Sequence, residues 1–192
     1  MGAMTETLYA QFRQVGADLF AQRLISAKAG NFSVRTETGL IITKSGTLKG
    51  RLEPEDLLEL GLDPNPERDQ GASIETVIHR EIYRQTDARA VVHAHPRTAV
   101  ALSLHLEVIR PVDLEGRYYM PEVPVLAPKT VSATPEAARA VAEALRTHPV
   151  CVLKGHGAFA KGRDLVEAYT LITVLEESAE ILLYSKLWSG RS

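Results

Sequence analysis

This 192-residue chain has one cysteine, Cys151, so no disulfide can close within it and a disulfide-stapled secreted scaffold is disfavoured. Cys151 lies in the apolar run Val150-Cys151-Val152-Leu153, the setting of an inert buried thiol, and a reducing cytoplasm is the expected location. No apolar stretch approaches the ~18 residues that a spanning helix needs, and Met1-Gly2-Ala3-Met4-Thr5-Glu6 has neither the charged nor the apolar region of a signal peptide. A soluble protein with no membrane partner is expected. Charge of one sign is also missing: 22 Lys and Arg stand against 24 Asp and Glu, a formal net charge of −2, with no basic block and no basic–aromatic interleaving. Nucleic acid is therefore not an expected partner.

What is present is an ordinary globular composition, 45% hydrophobic and 24% charged, enough to bury a full core without staples. One domain is expected over residues 4–192, with Met1-Gly2-Ala3 read as an expression remnant ahead of a second methionine. Leu8, Phe12, Val15 and Leu19 recur at helical spacing and predict an amphipathic helix from Thr5 to Leu24. Asn31 to Arg35 and Leu40 to Ile42, separated by Thr38-Gly39, predict an antiparallel hairpin. Proline-punctuated sequence then predicts a short helix over Glu55 to Glu59 and a surface loop. A helix is expected to begin near Ser73, with the Ser73 hydroxyl as its N-cap, and to bury Ile74, Val77, Ile78 and Ile82. Ala90 to His95 reads as a strand and Thr98 to Leu104 as a helix, with extended pieces flanking Pro111 and Pro124. Thr134-Pro135-Glu136 is a strong helix start leading into Ala137 to Leu145. A strand from Val150 and a long last helix from Leu165 to about Trp188 complete the chain. Strands mingle with helices without regular alternation, which argues for a mixed, largely antiparallel sheet covered by helices.

Three of the six histidines occupy tight settings: His93 and His95 in Val92-His93-Ala94-His95, and His156 in Gly155-His156-Gly157. On a strand, alternate side chains share a face and repeat about every 6.6 to 6.8 Å, so His93 and His95 would reach one ion. A lone His-x-His is more often structural or solvated, and a histidine between glycines can be an ordinary turn residue. A strand end followed by glycines is nevertheless a good place to present a third ligand. Three imidazoles with an open fourth position are the ligand set of a catalytic zinc, since structural sites close their coordination, usually with thiolates.

Taken together, Gly30-Asn31-Phe32-Ser33-Val34-Arg35, Thr43-Lys44-Ser45-Gly46, Ser73-Ile74-Glu75, Val91-Val92-His93-Ala94-His95 and Gly155-His156-Gly157 resemble the class II aldolase/adducin family, over nearly the whole chain from Leu8 to Trp188. The resemblance implies a three-layer α/β/α sandwich around a central, mainly antiparallel mixed sheet. It also implies a homotetramer with active sites between subunits, and one Zn2+ per subunit, or another divalent cation, on His93, His95 and His156. Glu75 matches the family's mobile carboxylate, which can contact the empty metal site and becomes the general acid/base when substrate displaces it. From the residues alone Glu75 is ambiguous, because an acid in the first turn of a helix is favoured whatever it does next. His79, four residues on, shares its helical face and could compete as a ligand, but the family pattern gives it no such role. Positions matching Asn31, Ser45, Gly46 and Ser73 cradle a substrate phosphate in the family's aldolases. Short hydroxyls, an amide and backbone N–H groups suit that task, although each also fits ordinary turn chemistry.

Two departures bear on substrate. Lys28 stands where the family's sugar-phosphate aldolases carry threonine, and Ile74 replaces one of a pair of phosphate-loop serines. Lys28 could pair with phosphate or stay solvated. The family's catalytic tyrosine aligns near Leu114-Glu115, leaving Tyr118, Tyr119 and Glu115 as candidates for the second proton transfer. The implied activity is a lyase of carbohydrate metabolism: reversible cleavage of a phosphorylated ketose of the fuculose-1-phosphate kind into dihydroxyacetone phosphate and an aldehyde. Decarboxylation of a 3-oxo-tetronate 4-phosphate-like substrate is the rival. Dehydration of a methylthioribulose phosphate and epimerisation of a phosphopentulose are weaker options, and a noncatalytic adducin-like module comes from a different class.

Overall fold

In the computed structural model, which describes residues 5–130 and 132–189, the elements follow the sequence's punctuation. Residues 1–3, expected to be an expression remnant, and the ends of the expected domain, residues 4 and 190–192, lie outside the described residues. The helices are α1 (Glu6–Ala21), α2 (Thr76–Gln85), α3 (Arg97–Ser103), α4 (Leu114–Tyr119), α5 (Pro135–Thr147) and α6 (Leu165–Ser189). The strands are β1 (Asn31–Arg35), β2 (Gly39–Thr43), β3 (Leu57–Gly61), β4 (Ala90–Ala94), β5 (Val108–Ile109), β6 (Val123–Leu126), β7 (Val150–Leu153) and β8 (Gly157–Gly162). They form one eight-stranded sheet in the order β3-β2-β1-β4-β8-β7-β6-β5. Only β6 and β7 run parallel; every other neighbouring pair is antiparallel.

Strand alternation sorts the core into two layers. On one face Phe32, Ile41, Val92, Val152 and Ala160 meet α1, α3 and α6. On the other, Leu40, Ile42, Val91, Cys151 and Phe159 meet α2 and α5. With helices over both faces, the protein is the expected α/β/α sandwich. Local signals place the helix ends. Thr5 and Thr134 accept hydrogen bonds from Leu8 N–H and Ala137 N–H at 3.2 Å each, and Pro135 occupies the first helical position of α5.

Four readings need correction or addition. The helix expected over residues 55–59 is cut short: a single 3-10 turn at Pro54–Asp56, boxed by Glu53 and Asp56, leads directly into β3, whose Leu60 pairs with Leu40 and whose Leu58 pairs with Ile42. Burial against β2 overrides helical propensity there. The approach is close enough that a Cβ on Gly39 would lie 1.9 Å from the Leu60 carbonyl oxygen, so glycine is required at that hairpin position. Ser73 does not cap α2, whose N-cap position is Glu75; Ser73 instead accepts from Glu75 N–H at 3.3 Å in the turn before the helix, and Ile74 points outward, 71% exposed. Neither α4 nor β8 was expected from the sequence. The one is a six-residue helix capped by Asp113, and the other reads Gly-Ala-Phe-Ala-Lys-Gly, with too few β-branched residues to announce a strand.

Leu145 is wholly buried in the α5 layer, away from the histidines. Leu145→Ala should lower stability to urea by about 2–5 kcal/mol. A loss under about 1 kcal/mol would mean that α5 does not seal that face.

Candidate metal centre and active site

β4 presents His93 in register with Asn31 of β1 on one side and Phe159 of β8 on the other. The His93 ring stacks on Phe159 with centroids 4.1 Å apart and planes 15° apart. Its Nδ1 lies 2.9 Å from the Ala158 carbonyl oxygen, which can only accept. Nδ1 therefore carries a proton, which leaves Nε2, turned toward Glu75, to donate to that carboxylate when protonated or to offer a lone pair to a metal when not. β4 ends at Ala94, so His95 follows the strand rather than belonging to it. Its backbone N–H donates to Leu24 O at 2.7 Å, and its Nε2 sits 3.0 Å from that of His93. Behind it, the Glu176 carboxylate on α6 accepts from the N–H groups of Thr98 at 2.8 Å and Ala99 at 3.0 Å, capping α3 and fixing the Pro96 bend. His156 occupies the β7–β8 turn, where Gly155 has a φ of +68° that a side chain would resist.

The three rings converge, with centroid separations of 4.8, 4.9 and 5.3 Å. One nitrogen from each lies within 4.8 Å of the others. Tetrahedral zinc at ~2.1 Å from each nitrogen spaces its ligands roughly 3.4 Å apart, so the donor set fits one divalent ion after small ring adjustments. Burial, followed by charge on His93 and His156 and opposed by Glu75, lowers the His95 pKa to about 3, so this ring is neutral at ordinary pH and ready to coordinate.

Glu75 closes the cluster. Its Oε2 accepts from Asn31 Nδ2 at 2.8 Å and lies 3.1 Å from His93 Nε2, while Oε1 accepts from Ser132 Oγ at 3.2 Å and lies 3.6 Å from His156 Nε2. Burial alone would raise its pKa. Charge on and hydrogen bonding from His93, the Asn31 amide and charge on His156 outweigh that and hold it far below the usual carboxylate range. His79 is no ligand: its Nε2 lies 2.6 Å from Asn31 Oδ1 and its Nδ1 2.7 Å from Ser33 Oγ. Complete burial, with a smaller contribution from charge on His93 and against the pull of Glu75, lowers its pKa to about 3.

A cleft of about 220 Å³ joins this cluster to Lys28, Asn31, Ser45, Gly46 and Ser73, so the expected phosphate-binding residues do meet beside the histidines. Ser45 and Gly46 form its exposed rim, with Gly46 at φ +74°. The Ser45 N–H is already given to Gly71 O at 2.9 Å, leaving its hydroxyl for a ligand. Beneath this turn lies Lys49, 1% exposed, whose Nζ donates to Lys44 O at 2.9 Å, Thr47 O at 3.2 Å and Thr47 Oγ1 at 2.8 Å. Burial, only partly offset by Asp56, lowers its pKa to about 8. Sequence reasoning passed over Lys49, Ser132, Ser33 and Tyr83. A lysine in Lys-Gly-Arg reads as solvated, and only the fold brings Ser132 to Glu75. Glu115, Tyr118 and Tyr119 are exposed and do not reach this cleft within one chain; Tyr119 lines a cavity with Asp87, Lys161 and Arg163 at the opposite end of β4 and β8.

The family model of the Class II Aldolase and Adducin N-terminal domain matches residues 10–183. The chain belongs to this family. A crystal structure of L-fuculose-1-phosphate aldolase from Thermus thermophilus is 66% identical, covers 98% of both chains and has a TM-score of 0.94. The L-fuculose phosphate aldolase of Methanocaldococcus jannaschii is 29% identical over 92% of this chain and 96% of its own. The methylthioribulose-1-phosphate dehydratase of Acidiphilium cryptum is 35% identical over 84% of this chain and 83% of its own. No described helix of this family member is long and apolar enough to cross a membrane.

A Cβ on Gly157 would lie 2.5 Å from Ala94 O, 2.6 Å from His95 Cδ2 and 2.9 Å from His93 Cε1. Gly157→Ala should displace both rings and weaken zinc binding, measured by chelator competition, by about tenfold or more. Unchanged affinity would show that the rings do not share an ion. His79 generates a second expectation. Its pKa is depressed on folding, so below its ordinary value of 6.5 the unfolded chain takes up a proton that the folded one refuses until about pH 3. Stability therefore rises with pH across that window, and its His79 component should fall by about 2 kcal/mol between pH 7 and pH 5. Urea unfolding of the metal-free protein should show this loss relative to His79→Gln; parallel pH profiles would contradict a neutral buried ring.

Proposed function

We propose that the chain is a metal-dependent class II aldolase that reversibly cleaves a phosphorylated ketose, fuculose-1-phosphate-like, into dihydroxyacetone phosphate and an aldehyde. The observation that carries this reading is the placement of Glu75: an ionised carboxylate set against three converging imidazoles and opening onto a cleft lined by hydroxyl, amide and ammonium groups. His93, His95 and His156 would hold Zn2+ or another divalent cation, one per subunit. Such an ion supplies a fixed positive charge against the negative charge that develops on substrate oxygens when the carbon–carbon bond breaks.

The remaining steps belong to the chain's own groups. Ser45, Gly46, Ser73, Asn31 and Lys28 would receive the phosphate and fix the ketose with its cleavable bond over the histidines. Both ends of the Asn31 amide are already engaged, so it has one N–H left to offer. Glu75, displaced by substrate, would return a proton to the carbon released in cleavage and remove it in condensation. The proton on the aldehyde side needs a second group. Since Glu115, Tyr118 and Tyr119 lie away from the cleft of their own chain, they would serve from a neighbouring subunit of a homotetramer in the cytoplasm.

A carbanion beside a carbonyl is also formed in decarboxylation of a 3-oxo acid phosphate and in dehydration of a ketose phosphate, and the 35% identity to a dehydratase keeps the latter in view. Incubating zinc-loaded protein with ketose 1-phosphates and oxo-acid phosphates separates the three: dihydroxyacetone phosphate supports the aldolase, carbon dioxide the decarboxylase, and a dehydrated ketose the dehydratase. Glu75→Gln should keep its metal and lose turnover by a factor of about 10² to 10⁴, whereas His95→Ala should lose both. Near-native turnover of Glu75→Gln would remove the acid/base assignment.

A further inference from the structure

Behind Glu75, a line of hydrogen bonds runs into the protein through Asn31 to side chains that the reaction does not touch. Glu75 Oε2 meets Asn31 Nδ2 at 2.8 Å, Asn31 Oδ1 meets His79 Nε2 at 2.6 Å, His79 Nδ1 meets Ser33 Oγ at 2.7 Å, and Ser33 Oγ meets Tyr83 OH at 2.7 Å. Ser33, His79 and Tyr83 have no exposed surface, so no solvent bond competes with these.

The orientation of the Asn31 amide fixes the direction of every link. The Asn31 amide presents Nδ2, which can only donate, to Glu75 Oε2, so its carbonyl oxygen, which can only accept, faces His79. His79 Nε2 then carries the proton, and the neutral ring accepts at Nδ1 from the Ser33 hydroxyl. Ser33 in turn accepts from Tyr83, whose phenol burial keeps protonated. Reversing the line would turn the Asn31 oxygen toward Glu75 and set two acceptors 2.8 Å apart.

We propose that His79 is a positioning residue: held as the neutral Nε2–H tautomer by Ser33 and Tyr83, it locks the Asn31 amide with its nitrogen toward Glu75 and so aims the carboxylate at the cleft. This inference rests on the reading of Glu75 as the proton-transfer group. A merely structural core would be served as well by apolar side chains at 33, 79 and 83. Here every donor in the line points toward one carboxylate oxygen, and the strand register that places Asn31 beside His93 places Ser33 beside Val91, directly under α2.

Two measurements test it. Nitrogen-15 NMR of the histidine rings in the full-length protein should show His79 protonated at Nε2 alone at pH 7, and Ser33→Ala should erode that preference. A ring protonated at Nδ1, or at both nitrogens, overturns the proposal without reference to any reaction. With the zinc-loaded enzyme, His79→Leu should lower kcat by about tenfold or more with full metal content, and His79→Gln, which retains a donor at the Nε2 position, should recover most of it. If His79→Leu does not fold, Ser33→Ala supplies the kinetic arm, with kcat reduced at unchanged metal content. Turnover by the arm used equal to that of the parent overturns the proposal. Activity of Glu75→Gln is the separate control: its survival removes the reading of Glu75, whereas the NMR result still decides the tautomer.

Discussion

Glu75 is 5% exposed and ionised, and a buried carboxylate persists only where N–H donors and positive charge replace the water it has lost. Much of the surrounding arrangement can be derived from that demand. Asn31 supplies a donor, Ser132 a hydroxyl, and the imidazoles of His93 and His156 the charge when protonated. The same histidines, once neutral, offer lone pairs to a cation, which would meet the same demand from the same place. The carboxylate and the proposed ion are thus partners in charge balance.

The sheet delivers this arrangement through register. Antiparallel pairing sets Asn31, His93 and Phe159 side by side across β1, β4 and β8, and alternation sends all of them to the face covered by α2 and α5. A slip of one residue would turn Asn31 and His93 to the other face, so the two apolar cores that fix the register also fix the placement of these side chains. Ala158, within β8, contributes through its carbonyl, which selects the His93 tautomer. Gly157, at the start of the same strand, contributes by lacking a side chain that would occupy the space of the rings.

The parts legible in sequence were those with local causes. The Thr134-Pro135 cap, the β1–β2 hairpin and the α1 and α6 stripes depend on neighbours within a few residues, and they stand as read; the strand expected through His95 ends at Ala94. Residues 57–61 are ambiguous in sequence because Leu57 and Leu60 stand at helical spacing whereas Leu58 and Leu60 alternate, and only pairing with β2 decides between the periods. Lys49 and Ser132 were silent because their roles come from long-range closure: a lysine buried under the Ser45-Gly46 turn, and a serine delivered to Glu75 from 57 positions away in sequence. Tyr118 and Tyr119 lie beyond the reach of any one-chain argument, being at the far end of the strands from the histidines.

The two oxygens of Glu75 are held unequally. Oε2 is fixed from the core side by Asn31, which is itself anchored through α2. Oε1 depends on Ser132, which sits outside any helix or strand beside Ala133 at φ +54°. A non-glycine residue in the left-handed region costs about 1–2 kcal/mol, so that segment keeps its shape at some expense. The Ser132 bond is also the longer of the two side-chain bonds, 3.2 against 2.8 Å. A carboxylate so mounted is freer at one oxygen than at the other. Rotation about the Asn31-held oxygen would carry Oε1 away from His156 while Oε2 keeps both the Asn31 donor and its place 3.1 Å from His93 Nε2, so the charge is not left without a partner.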